Sequence, residues 1–372
     1  MSPRLELFQP PAVLAPFLLQ HAPASSFNLP NKAKGEAAAL LERAGTLRAV
    51  LPLAPDICVH WAVSNNYART PEATFAGLEA FAERLAAVPA CSLLLVSGGG
   101  PRRKLDSLQA LELLAASPRF HAAPLPLAVA FNPFFPDEAR QQEERDRLRA
   151  KLAAGRGHVA AVYLQAGSDA DRLEQGLVWL QQQLDELAGP RKEEQRPAPA
   201  FANTDEATAK QQQPPQQQQQ QQRQVEQPEL AGRAAARPAK RPRRQLEAAE
   251  AMAGTSTGSQ RDAEASPAVN GHRQQPRGGR PAVIGSLLVP SRKLLAAMKF
   301  RPWGGVFLGE EWLSGVEAAD GATRRILAVY ARHAVVPLVE TEVATPQALE
   351  RVTQLLVLGD SGDGDVARKV VE

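Results

Sequence analysis

A closed α/β barrel of eight strand–helix units, (β/α)8, interrupted by one long disordered insertion, is the fold class this sequence predicts. Three observations predict it. Short apolar runs alternate with helical stretches along two blocks of the chain, and βα repetition of this kind builds a parallel sheet. The runs are apolar almost throughout rather than alternating with polar residues, as strands are when helices cover the sheet. Setting the insertion aside leaves roughly 280 residues, close to the ~250 typical of such a barrel. An open doubly wound sheet is the alternative, and no G-x-G-x-x-G follows the first strand to support it.

The elements follow in order. Residues 1–24 read as an N-terminal extension, whose apolar patch at 11–19 is broken by proline and lacks the basic start and cleavage site of a secretory signal. The first strand is expected at 25–29, with a helix over 35–50. The second, 56–63, precedes a helix over 70–87, where Thr70-Pro71-Glu72 supplies an N-cap, a proline at the first helical position and an acidic first turn. Residues 91–96 run into Ser97-Gly98-Gly99-Gly100 and a helix over 104–116. Residues 127–131 run into Asn132-Pro133 and a charged helix over 137–154, closed by Gly155. Residues 159–165 precede a helix over 169–187. Beyond the insertion come a strand at 283–289, a helix at 291–299, a weaker strand at 305–308 with helical material to 332, a strand at 335–340 and a helix at 346–356. The barrel is thus expected in two parts, 25–188 and 281–358, followed by a flexible tail, 359–372. Seven strands are clear and one is irregular, and one early unit reads as shortened or missing.

The insertion, 189–280, holds the glutamine tract 216–222 and many prolines, and too little apolar surface to offset chain entropy. It falls after a helix and before a strand, so it leaves from the barrel end opposite the loops that carry chemistry. Its basic run Lys240-Arg241-Pro242-Arg243-Arg244 reads as a solvated charge cluster, with nuclear import or a weak RNA contact as the alternative. A net charge of +3 on 372 residues does not fit a dedicated nucleic-acid binder. Two cysteines, Cys58 and Cys91, exclude a disulfide framework and a four-Cys zinc site, and as buried thiols they fit a reducing, cytoplasmic compartment, with an organelle left open. No apolar run is long enough to span a bilayer.

Chemistry in such a barrel sits in the loops after the strands. Those ends offer Asn28; His60, Asn65, Asn66 and Tyr67; Ser97, Gly98 and Gly99 with Arg102, Arg103 and Lys104; Asn132; and Gln165. The glycine-rich turn before a helix is suited to an anion, because glycines let backbone N–H groups approach and the helix N-terminus adds positive potential. The plainer reading is a turn with exposed basic residues. His60 reads first as a hydrogen-bonded core histidine, with an acid–base role as the alternative, and Gln165 as a polar strand end or as a donor–acceptor for an amide-like heterocycle edge. His121, His158 and His333 lack metal-ligand spacing, and no metal is expected. No nucleophile motif and no paired carboxylate is evident at the strand ends, which favours a cofactor that brings its own chemistry.

Three stretches then read together: residues 129–139 (Val-Ala-Phe-Asn-Pro-Phe-Phe-Pro-Asp-Glu-Ala), 147–155 (Arg-Leu-Arg-Ala-Lys-Leu-Ala-Ala-Gly) and 161–165 (Ala-Val-Tyr-Leu-Gln). In this order they resemble the methylenetetrahydrofolate reductase family of flavin-linked, TIM-like barrels: a strand with a proline turn, a helix reading L-x-x-K-x-x-A-G, and a strand ending in Gln. Ser25-Ser26-Phe27-Asn28-Leu29-Pro30 is similar to the family's opening S-F-E-F-x-P, residues 96–99 stand at its L-R-G-D turn, and residues 284–290 at its P-G-I-x-P strand. The resemblance implies FAD across the barrel mouth, held by Ser97, Gly98, Gly99, Ala130, Asn132 and Lys151 with His60 beside them, and NAD(P)H as electron donor. Asn28 and Gln165 take the catalytic positions, Gln165 facing a folate-like substrate of one-carbon metabolism. A homo-oligomer is compatible with it. The chain departs from the family at Asn28 in place of Glu, at Ser97 and Gly99 in place of Arg and Asp, and at Ala150 in place of an Arg. Asparagine cannot donate the proton that the glutamate does. The expectation is therefore a divergent reductase-like enzyme, or a non-catalytic binding or regulatory barrel.

Overall fold

The computed structural model describes residues 3–22, 25–98, 104–188, 280–341 and 343–360. Eight parallel strands close into a barrel in sequence order. β1 (Arg4–Glu6) and α1 (Pro11–His21) form the first unit, β2 (Ser26–Leu29) and α2 (Ala37–Val50) the second. β3 (Ile57–Ala62) is followed by the single turn α3 (Val63–Asn66) and by α4 (Pro71–Ala86). β4 (Cys91–Val96) leads to α5 (Ser107–Ala115) and the short α6 (Pro118–Ala122). β5 (Leu127–Phe131) leads to α7 (Glu138–Ala154), and β6 (Val159–Leu164) to α8 (Ala170–Ala188). β7 (Ala282–Leu287) carries α9 (Arg292–Phe300), α10 (Glu310–Ser314) and α11 (Val316–Arg332), and β8 (Val336–Val339) carries α12 (Pro346–Asp360).

The eighth strand is not where the apolar pattern put it. Residues 1–24 are not an extension: they hold β1 and α1, and β1 closes the barrel by pairing with both β2 and β8. No early unit is missing. β1 escapes an apolar search because it is three residues long and two of them, Arg4 and Glu6, are charged. Their side chains are buried all the same. Residues 305–308 supply only an isolated bridge, Gly167 to Phe307, across the loop after β6. That segment is tied down by a side chain, Asn132 Nδ2 donating to the Gly305 carbonyl at 2.9 Å, rather than by a ladder.

Strand pleating sorts the core into two layers. Cys58, Leu94, Ala128, Tyr163, Ile284 and Leu338 fill the lumen. The alternate residues, among them Phe27, Val59, Leu93, Val129, Val162 and Val339, face the helices and join the larger outer core. Both cysteines are buried thiols outside any disulfide. Helix starts are capped as their sequences require: Thr70 Oγ1 accepts from the Ala73 N–H, and Asp106 with Gln109 forms a capping box on α5. The insertion joins α8 to β7, at the end where strands begin, and lies outside the described residues, as does the tail after residue 360. Among the described residues no helix is long and apolar enough to cross a membrane.

Candidate active site

A ladder of polar side chains runs up the lumen beside its apolar residues. At the base, the Arg4 guanidinium donates to Asp56 Oδ2 at 2.7 Å and to the Phe27 carbonyl at 3.1 Å, and Ser92 Oγ donates to Asp56 Oδ1 at 3.0 Å. One level up, Arg4 Nε donates to Asn28 Oδ1 at 3.0 Å, and the Tyr163 hydroxyl approaches the same oxygen at 3.4 Å. Asn28 Nδ2 then lies 2.9 Å from His60 Nε2. Burial, reinforced by the positive charges of Lys32 and Arg4, pushes the His60 imidazolium down to a pKa of about 3, so the ring is neutral at physiological pH.

At the mouth the structure supplies what no sequence pattern had marked. Leu5 pairs with Val339, so the next positions on the neighbouring strands, Glu6 and Glu340, stand side by side. Glu6 is buried and Lys32 Nζ is 3.7 Å from its Oε2, while Glu340 accepts from Ser286 Oγ at 2.5 Å. Burial first, and the Glu340 charge second, push the Glu6 carboxyl up to about 8, against the opposing pull of Lys32. The Glu340 carboxyl is raised too, again by burial, while Ser286 and Lys32 pull it down. The Glu6 carboxyl keeps its proton near neutral pH, the Glu340 charge opposing its loss. The mouth therefore has a protonated carboxyl, contrary to the expectation of strand ends without paired acids. The missed signal was short: Leu5-Glu6-Leu7 ahead of Pro10 is itself an apolar–Glu–apolar run ending in proline. Asn28, which was matched to the glutamate of the family's opening strand, lies on β2 and pairs in register with Glu6 on β1.

The predicted residues do gather on one rim, at the ends of β2 to β6, but they divide by what they touch. Asn28 and His60 belong to the lumen ladder. Gln165 follows Tyr163 on the lumen side of β6, and its backbone N–H donates to the Phe131 carbonyl. The residues expected to cradle phosphate are turned inward. Ser97 Oγ donates to Ser107 Oγ at 2.9 Å and accepts from the Ser107 N–H, fastening the start of α5. Gly98 has φ +75° and packs so closely on Ser64 that a Cβ would lie 2.0 Å from its Oγ. Asn132 divides its amide between the Gly305 carbonyl and the Phe134 N–H. The Lys151 side chain is buried, its Nζ donating to the Ala130 carbonyl at 3.2 Å, and burial lowers its pKa against the pull of Glu144. Asn65 and Asn66 bind Asn31 and stitch the loops after β2 and β3 together. Lys104 is exposed, and Gly99, Arg102 and Arg103 lie outside the described residues. Among the described residues no group of three potential metal ligands occurs.

An FAD molecule needs a polar ring pocket and an anion cradle. The strand ends bring polar groups for a ring, His60, Gln165 and the Glu6–Glu340 pair, to one rim. Among the described residues the cradle does not fit, since Ser97, Asn132 and Lys151 each spend a donor on the protein itself. No protein-family model matches the chain, and no curated protein does.

Proposed function

We propose that this barrel binds a polar, folate-like heterocycle at its mouth and protonates it from Glu6, as a divergent relative of the methylenetetrahydrofolate reductase barrels. The single observation that carries the reading is the Glu6–Glu340 pair at the strand ends, buried at Glu6 and partly buried at Glu340, where burial raises the Glu6 carboxyl to about 8. It also removes the main objection raised by the sequence. The acid that Asn28 cannot provide is available one strand away, on a β1 that carries its own apolar–Glu–apolar run before a proline.

The redox half of the reading, hydride from NAD(P)H through FAD, rests on the resemblance. The inward bonds of Ser97, Asn132 and Lys151 favour the second reading, a barrel that binds the heterocycle without reducing it. The absorbance spectrum of the purified full chain, read with an NADH oxidation assay and calorimetry against folic acid, separates the two. A yellow protein that oxidises NADH supports the reductase. A colourless, inert protein that binds folic acid supports the second reading, and one that does neither overturns both.

A further inference from the structure

We infer that Asn28 is a positioning residue: it fixes His60 as a neutral ring whose Nδ1–H is the donor at the floor of the mouth, so that the site selects a heterocycle presenting a lone-pair acceptor there, a carbonyl oxygen or an unprotonated ring nitrogen. The inference rests on the mouth being a binding site, and on nothing in the redox half of that reading.

The fixing contacts run up the lumen from its base. Arginine has only donors. Arg4 is anchored by Asp56 and the Phe27 carbonyl, and Asp56 is itself held by Ser92. The Asn28 atom that Arg4 Nε meets at 3.0 Å must therefore be the amide oxygen, and the Tyr163 hydroxyl donates to the same atom. Turning the amide over would set its NH2 against the guanidinium. Asn28 is fully buried, so neither orientation is rescued by water. With the oxygen fixed, Nδ2 donates to His60 Nε2 at 2.9 Å. That nitrogen must carry a lone pair, and the ring proton must sit on Nδ1. A second proton would put N–H against N–H across that 2.9 Å contact. Every charged group that bears on the ring, Lys32 from the loop after β2 and Arg4 from β1, opposes that proton as well, while Tyr163 of β6 meets the ring edge-on at 6.4 Å between centroids. Among the described residues none accepts from Nδ1, and the ring is partly exposed, so this donor is left for a ligand.

The test reads the tautomer directly, in the full chain without ligand. Histidine ring nitrogens are followed by long-range proton–nitrogen correlation after 15N-histidine labelling, with His60 assigned among the six histidines by His60→Phe. The expected wild-type pattern is a protonated Nδ1 and a bare Nε2, unchanged across physiological pH. Asn28→Asp replaces the donor with an acceptor and is expected to move the proton to Nε2 or to charge the ring. A wild-type ring carrying its proton on Nε2, or titrating near neutrality, overturns the inference whether or not the variant folds. For ligand choice the probe is folic acid. His60→Phe is expected to weaken its binding roughly tenfold, the loss of about one desolvated hydrogen bond. Unchanged binding overturns the selection. No binding to the wild type overturns the ligand class and the substrate reading above, while the tautomer result stands separately.

Discussion

Glu6 and Glu340 end neighbouring strands side by side, one on the first strand of the barrel and the other just past the last, so the seam that closes the sheet is also where its two acids meet. The Glu6 carboxyl binds its proton more tightly in the folded chain, at about 8 against an ordinary 4.5. Between those values the native state holds more protons than the unfolded chain, so stability falls as pH rises through that window and is unaffected below it. The urea midpoint is expected to drop from pH 5 to pH 9. Glu6→Gln flattens that part of the curve, and Glu340→Gln shifts the drop to lower pH by removing the like charge. A Glu6→Gln profile parallel to the wild type is the contrary outcome.

Asn132 is expected to act on stability and not on cofactor binding. Its amide joins the end of β5 to the segment that follows α9, through the Gly305 carbonyl at 2.9 Å and the Phe134 N–H at 3.0 Å. Asn132→Ala leaves both partners unmatched, at a cost of about 1–3 kcal/mol. Urea unfolding reads that loss, and amide exchange is expected to quicken at Val306 and Phe307. A variant of wild-type stability that has lost a bound flavin would return Asn132 to the cofactor cradle.

Gly98 makes a second structural prediction. Its φ of +75° lies in the left-handed region, and an added Cβ would meet Ser64 Oγ at 2.0 Å. Gly98→Ala is expected to destabilise by about 1–3 kcal/mol. Adding Ser64→Ala removes the nearest atom and recovers part of the loss, while the backbone strain persists. Thermal unfolding of the two single variants and the double one gives the coupling directly. Full recovery in the double variant would mean that the backbone angle carries no strain.

These sites show where sequence reading works and where it stops. Asn28, His60 and Gln165 were legible because a polar residue at the end of an apolar run stands out, and the strand after which it comes fixes the rim on which it sits. The roles of Ser97 and Asn132 were not legible, since their partners Ser107 and Gly305 come from other loops, and a glycine-rich turn looks alike whether it faces a ligand or the protein. β1 was invisible for a physical reason. A lumen-facing Arg4 and Glu6 read as solvent-exposed in sequence, and their burial depends on Asp56, Asn28 and Lys32, supplied by β2 and the loops beside it. Glu340 reads as the last residue of a strand, but its neighbour across the seam lies at the opposite end of the chain.

Removal of residues 189–279 is expected to leave the barrel intact. The two ends that would be rejoined are already held together at the rim where strands begin. Arg280 Nη1 lies 3.4 Å from Asp185 Oδ1 on α8, and its Nη2 donates to the Gln181 carbonyl at 3.2 Å. Closing that gap takes a loop of only about 4–6 Gly and Ser residues, within the ordinary range for such connections. A shorter closed loop also costs slightly less entropy to form, so any change should be small and towards stability. The mouth lies at the other end of the strands, so folic acid binding should match the full chain. The melting temperature is expected within about 2 °C of the full-length protein. A loss of helical circular dichroism from the barrel, or weaker folic acid binding in a variant that melts normally, would show that the insertion reaches the barrel or its mouth.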